Sequence, residues 1–375
     1  MRPKPRRHSV RPQVEALETL ELLSTLPAVA ADVSRARQPA SIVGQLPDVT
    51  PTSVSTIPAN GDLNPYGVAV VPQGFPRNGL LEPGDILVSN FNASSNLQGT
   101  GTTIVKVTPG GTQSLFFQGQ AGIGLSTALG VVKGGFVLVG STPTTDGTSA
   151  TIQPGSILII NRFGQQVGTI SDPTLLNGPW DLTVNDRGNR PQVFVSNVLS
   201  GAVTRLDLQI TDHGQQVQVV GKTQIASGYT HRSDPAALEI GPTGLVFDPA
   251  RNVLYVASTG DNAIFAVRGA STTRTDQGTG RVIDQDSTHL HGPLGLVRAP
   301  NGDLIAANGD AVNADPNQPS ELVEFTPSGR FVAQFSLDPN PAGPFGIALA
   351  SAGRSVIMAA VNDNHNVLEL FRVHG

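Results

Sequence analysis

The chain has no cysteine, one tryptophan and two methionines among 375 residues, and only 14 % of its residues are charged. Without cysteine there are no disulfides and no thiolate metal sites. No apolar run approaches the ~18 residues of a membrane-spanning helix. Lys and Arg are scattered and the formal charge is −5, so the concentrated basic footprint of a nucleic-acid-binding body is missing. No Ser-His-Asp context, zinc signature or phosphate-cradling loop stands out. Gly99 to Gly101 and Gly110-Gly111 are tight turns with no helix behind them to bind an anion.

What the chain has in plenty is glycine (42) and proline (29), the composition of many short strands joined by turns. A short phrase recurs six times: a Pro or other turn residue, one residue, a Gly or other small residue, then an apolar strand. It reads Pro65-Tyr66-Gly67, Ala128-Leu129-Gly130, Pro179-Trp180-Asp181, Pro242-Thr243-Gly244, Pro293-Leu294-Gly295 and Pro344-Phe345-Gly346, with third positions 63, 51, 63, 51 and 51 residues apart. One unit of roughly 50 residues therefore repeats, with insertions in two copies.

Each phrase leads into an apolar strand, and a second strand follows a turn: Asp85 to Ser89, Gly135 to Val139, Gln192 to Ser196, Val253 to Ala257, Asp303 to Ala307 and Val356 to Ala360. Third strands alternate at Thr103 to Val107, Ser156 to Ile160, Ala263 to Val267, Glu321 to Phe325 and Val367 to Arg372, and outer strands fit several units. Four antiparallel strands repeated radially describe an all-β, six-bladed β-propeller. The sixth unit ends after three strands and a lone strand-like stretch, Thr52 to Ile57, precedes the first. That N-terminal strand is expected to complete the last blade and close the ring.

Residues 1–31 differ from the rest. Arg2, Lys4, Arg6, Arg7 and Arg11 form a basic head ahead of an uncharged stretch from Leu22 to Ala31, the order of a secretory signal, although Glu15, Glu18 and Glu21 interrupt it. The stretch from Arg11 to Ser24 resembles the N-terminal sorting motif of exported planctomycete proteins, with Thr19 and Leu20 in place of that motif's Pro-Arg. The resemblance implies a secreted or cell-surface protein. Residues 32–50 read as a linker, and 51–375 as the propeller.

The units Gly241 to Asp248 and Asn252 to Ile264 resemble NHL repeats of the six-bladed, TolB-like propellers, running Pro, small, Gly, apolar strand, Asp, then a Leu-Tyr-Val-Ala core and a polar turn. Units two and three depart most, with Ala128 for Pro and Asp181 for Gly. The resemblance implies a fold more than a function, since NHL-type rings include scaffolds and ligand binders and similar six-bladed rings include lactonases.

Candidate residues follow from topology. The loop entering each first strand and the loop between second and third strands emerge on one face. Three of the latter are long, Asn90 to Thr102, Ser141 to Gly155 and Asn308 to Ser320, and long loops on a rigid scaffold are where recognition resides. Asn90, Asn197 and Asn308 end second strands, so superposed blades would set their amides around the channel mouth, where carboxamide oxygens could join Asp181, Asp261, Asp310 or Asp363 on calcium. The calcium-dependent lactonases place a Glu, Asn residues and an Asp in this channel, but no leading Glu precedes a first strand here. The same Asn side chains also suit turn capping. His231, His289, His291 and His365 fall on the same face, and His289 and His291 would point the same way in an extended segment, a spacing for a metal site or acid-base pair. Trp180 could stack on a sugar or be buried between blades. The leading expectation is an exported, non-catalytic binding module for a protein or glycan of the cell envelope. The alternative is a calcium-dependent hydrolase of the lactonase type at the central channel.

Overall fold

In a computed structural model that describes residues 40–211 and 214–375, six four-stranded antiparallel sheets surround a central channel. The expected signal segment, 1–31, and residues 32–39 of the expected linker lie outside the described residues. Blade 1 comprises Leu63–Val70, Ile86–Asn92, Thr103–Val107 and Gln113–Gln118, paired in that order from the channel outward. The pattern recurs with inner strands Leu125–Val132, Pro179–Asn185, Pro242–Asp248, Pro293–Arg298 and Pro344–Ala352. Among the described residues the helical segments include three short 3₁₀ turns, Val43–Asp48, Ser149–Thr151 and Asp363–His365. No helix there is long and apolar enough to cross a membrane.

Closure takes the expected form. Thr52–Ser55 pairs antiparallel with Val367–His374, with Val54 opposite Leu368, and so supplies the outermost strand of blade 6. Both ends of the folded ring thus lie in one sheet. Residues 41–48, read from sequence as linker, are instead part of the body. Ile42, Val43 and Leu46 are buried between blades 5 and 6 against Leu322, Met358 and Phe371, and Glu324 Oε2 accepts from Val43 N (2.8 Å) and Ser41 Oγ (2.6 Å). Three buried aliphatic side chains are worth about 1.5–3 kcal/mol each.

Every blade contributes one side of its sheet to each neighbour, so the apolar side chains gather into six seams. Leu87, Val137 and Leu158 lie in the seam of blades 1 and 2, and Ile86, Val88 and Ala359 in that of blades 6 and 1. This is why the second strands read as unbroken apolar runs. Val253–Ser258 is buried at every position, because both faces of a blade are covered.

The 63-residue intervals have different contents. In blade 1 the connections before and after Ile86–Asn92 are long. In blade 3 the third and outer strands, Ala202–Thr211 and Gln216–Ser227, are extended, and a separate hairpin, Arg232–Asp234 with Leu238–Ile240, precedes blade 4. The outer strand of blade 4, Arg281–Asp284, is short and carries too few apolar residues to stand out in the sequence.

Candidate functional site

The recurrent phrase builds the upper rim of the channel, the face on which inner strands begin. Its glycines are required by close approach. A Cβ at Gly346 would collide with the Tyr66 carbonyl oxygen, one at Gly244 with that of Leu294, one at Gly295 with that of Phe345, and one at Gly67 with that of Thr127. Four blades therefore lay their phrase against the main chain of the next, while a Cβ at Gly130 of blade 2 would meet the Leu182 side chain. Hydroxyls fasten the same rim: Ser89 Oγ donates to Ser126 O (3.1 Å), Ser126 Oγ to Pro179 O (2.8 Å), Ser196 Oγ to Thr243 O (2.8 Å) and Thr259 Oγ1 to Pro293 O (2.7 Å).

Blade 3 breaks the pattern with Asp181, which lines the channel and is its one charged side chain. Its Oδ1 accepts from Leu182 N (2.7 Å) and its Oδ2 from Leu245 N of blade 4 (2.8 Å). The strand irregularity at the phrase also differs here: register slips between Pro179 and Asp181, whereas in the other Pro-led blades it slips one residue further on. Burial pushes the Asp181 carboxyl up to about 7, against the two main-chain N–H groups that favour its charge. Each oxygen keeps a lone pair beyond the one engaged by the main chain.

Aromatic rings gather at the rim beside Asp181, Tyr66 and Phe345 lining the channel. Tyr66 stacks on Phe345 (4.4 Å between centroids) and meets Trp180 (6.4 Å) and Phe91 (5.8 Å) edge-on. Phe91, Trp180, Val198 and Leu238 form one buried cluster, Leu238 being brought down by the extra hairpin. Trp180 is 1 % exposed and has no face to offer a sugar. Burial raises the Tyr66 phenol well above its usual range, the Trp180 indole opposing the rise and the charges of Asp363 and Asp181 adding to it. Asp363 is likewise pushed to about 7 by burial alone.

The asparagines do not line the channel. Each is fully buried facing the preceding blade, with its amide nitrogen used as a latch. Asn90 Nδ2 donates to Thr56 O and Thr103 Oγ1 (both 3.1 Å), Asn197 Nδ2 to Thr204 Oγ1 (3.2 Å), and Asn308 Nδ2 to His289 O (2.9 Å) and Glu321 Oε2 (3.3 Å). Sequence reading missed a fourth member, Asn362, whose Nδ2 donates to Asp338 Oδ2 (3.0 Å); the signal was the same Asn ending the second strand of blade 6. All four Oδ1 atoms are buried without a partner. Each of these residues lies opposite a phrase proline, Pro65, Pro179, Pro293 or Pro344, which has no N–H to donate.

The histidines also separate. His289 and His291 sit in a turn, not an extended segment. His289 stacks on Phe331 (3.8 Å) and its Nδ1 pairs with Asp286. His291 is buried with its Nε2 3.7 Å from Glu321 Oε1, and burial holds Glu321 above the usual carboxylate range. His365 Nε2 lies 2.9 Å from Asp338 at an exposed site, and His231 Nδ1 bonds Tyr229 O (3.1 Å). Asp261 accepts from Ser258 Oγ (2.7 Å) and Thr230 N (3.1 Å), and Asp310 from Ser320 N (2.9 Å) and Ala342 N (3.0 Å).

Calcium takes six to eight oxygens, usually with several carboxylates. The channel offers one carboxylate, both of whose oxygens already accept main-chain N–H groups, and the phrase's middle side chains around it are Tyr66, Leu129, Trp180, Thr243, Leu294 and Phe345. Among the described residues no three His, Asp or Glu side chains converge on a metal position. The donors present do not fit the expected calcium set of Asn90, Asn197, Asn308 and Asp181.

No family profile and no curated protein matches the chain in sequence. Solved structures do. A luciferin-regenerating enzyme is similar with a TM-score of 0.50 at 10 % identity, over 87 % of this chain and 96 % of that one. A gluconolactonase from Xanthomonas campestris has a TM-score of 0.50 at 14 % identity, over 85 % and 88 %. A calcium-binding protein, regucalcin, from Agrobacterium tumefaciens has a TM-score of 0.50 at 13 % identity, over 86 % and 95 %. At these identities the likeness establishes the fold. It also tells against the leading expectation of a non-catalytic binding module, since the matching propellers include a gluconolactonase and a luciferin-regenerating enzyme.

Proposed function

We propose that the protein is a hydrolase of the lactonase type whose site is the upper part of the central channel, with Asp181 as general base. The observation that carries this reading is Asp181 itself, an ionisable side chain on the channel wall at a phrase position where the five other blades have Gly. A carboxyl held at about 7 is matched to proton transfer near neutral pH, because a base works best when its pKa lies close to the working pH. The solved propellers of similar fold, among them a gluconolactonase, give independent support.

In the reaction a water oxygen adds to the carbonyl carbon of a cyclic ester while Asp181 takes one of its protons. The tetrahedral adduct then collapses, the ring carbon–oxygen bond breaks, and Asp181 returns the proton to the departing alkoxide. Water is consumed, a hydroxy acid forms, and the carboxylate is regenerated.

Lactone hydrolysis followed by pH-stat tests the proposal. Rates should climb with pH through about 7 as Asp181 ionises, and Asp181→Asn should lower kcat by about 10²–10⁴-fold with an unchanged circular dichroism spectrum. A folded Asp181→Asn protein with full activity would refute the assignment.

A further inference from the structure

We infer that Tyr66 is a second catalytic residue, its hydroxyl donating a hydrogen bond to the carbonyl oxygen of the lactone while Asp181 activates the water; this deepens the lactonase-type reading and rests on it. Tyr66 and Asp181 line one channel of about 260 Å³. They reach it from blades 1 and 3, which are separated by a blade, so a ring bound between them is met from two walls. Ester hydrolysis needs that arrangement. The base brings the water to the carbonyl carbon, and a donor waits where the carbonyl oxygen will become an oxyanion.

The Tyr66 ring is held on several sides. It stacks on Phe345 (4.4 Å between centroids) and meets Phe91 (5.8 Å) and Trp180 (6.4 Å) edge-on, so the hydroxyl is placed before a substrate arrives. The Trp180 indole N–H is buried with no other partner, and it opposes the burial that raises the phenol. An N–H directed at the phenol oxygen leaves the hydroxyl proton free to be donated. Burial, with the charges of Asp363 and Asp181 adding to it, keeps that proton on the oxygen at the working pH. The other hydroxyls on the channel suit the task less. Thr243 Oγ1 donates to Pro293 O (3.1 Å), and Thr183 stands two residues beyond Asp181 on the same strand, hence on the same wall. Thr127 and Thr183 are also alcohols, weaker acids than a phenol and so weaker donors to an oxyanion.

As the water oxygen adds to the carbonyl carbon, the carbonyl π pair moves onto the carbonyl oxygen, and the Tyr66 hydroxyl bonds it without giving up its proton. Asp181 has then taken a proton from the water and is neutral. The negative charge has passed from the carboxylate to an oxygen that Tyr66 holds. When the adduct collapses the pair returns, the ring carbon–oxygen bond breaks, and Tyr66 is left unchanged. A contact stronger in the transition state than in the ground state raises kcat.

Hydrolysis of δ-valerolactone tests the inference. Tyr66→Phe removes the hydroxyl and leaves the ring in its stack. It should lower kcat by about 10²–10³-fold and move KM by less than about threefold, with the pH midpoint still near 7 and the melting curve unchanged. Tyr66→3-fluorotyrosine keeps the ring and makes the hydroxyl a stronger donor, so kcat should stay at or above the wild-type value; it reads the same contact if the Phe variant does not fold. Full kcat in Tyr66→Phe, with Asp181→Asn inactive, overturns the inference and leaves the hydrolase standing. A slow Phe variant whose pH midpoint has moved, or a fluorotyrosine variant equally slow, also overturns it, because ring packing would then be what matters. No hydrolysis by the wild-type protein overturns both.

Discussion

Five junctions of the ring place a glycine where adjoining blades meet at the rim, and the sixth places Asp181. At Gly346, Gly295 and Gly244 the main chain of the next blade occupies the volume a side chain would need, so those seams are shut by backbone. At the seam of blades 3 and 4 the neighbour stands off far enough for a carboxylate to reach across and accept the Leu245 N–H. The rule that makes the ring is broken at one point, and that point faces the channel. Local rules of a fold are broken where something other than folding is being selected, which is why the exception is more informative than the repeat.

The sharpest way to break this comparison is to put a methyl group into a shut seam. Gly346→Ala forces a Cβ onto the Tyr66 carbonyl oxygen, a backbone atom that cannot swing aside. A cost above about 4 kcal/mol, or failure to fold, is expected for such overpacking with no room to relax. A urea midpoint within experimental scatter of the wild type would mean that close approach is not what the glycine serves.

A second, smaller effect should follow from opening the ring elsewhere. Blade 6 is closed by a strand from the other end of the chain, with Thr52, Ser53, Val54 and Ser55 paired to Val367–His374. Deleting residues 50–60 removes four ladder positions and the buried Val54, exposes a strand edge, and should lower Tm by about 5 °C or more. An unchanged melting curve would show that the ring holds without its clasp.

The closing strand was legible in the sequence because a missing fourth strand at one end and a spare strand at the other are matters of counting. The six inner strands were legible because the Pro-x-Gly phrase encodes a steric requirement. The site was only partly so. Asp181 was visible as the divergent copy, but its reach to Leu245 N depends on the spacing of two blades 64 positions apart in sequence. The asparagines were misplaced for a related reason: a residue ending a second strand can turn to the channel or to the neighbouring blade, and only the seam decides. The histidine pair failed because Asp286 starts a turn, with Leu290 N bonded to Asp286 O (2.8 Å), which destroys the alternation that an extended segment would give.

The subtlest difference between the seams should appear as a dependence on pH. Asp181 has its carboxyl raised to about 7 in the folded protein, from a usual value near 4. Between those values the folded chain keeps a proton that the unfolded chain has lost, so stability falls as pH rises across this window. Asp363, raised to a similar value, contributes in the same direction, and wild-type stability alone would not separate the two. Asp181→Asn does, because Asp363 is present in both proteins and cancels in the difference. Asparagine keeps one oxygen for Leu182 N or Leu245 N and leaves the other N–H without its acceptor, at about 1 kcal/mol independent of pH. Relative to wild type the variant should therefore gain about 2–3 kcal/mol between pH 5 and pH 8, read from urea unfolding at intermediate points. A difference that stays flat over that range would mean that Asp181 does not titrate near neutrality, and would remove it as the base of a reaction run there.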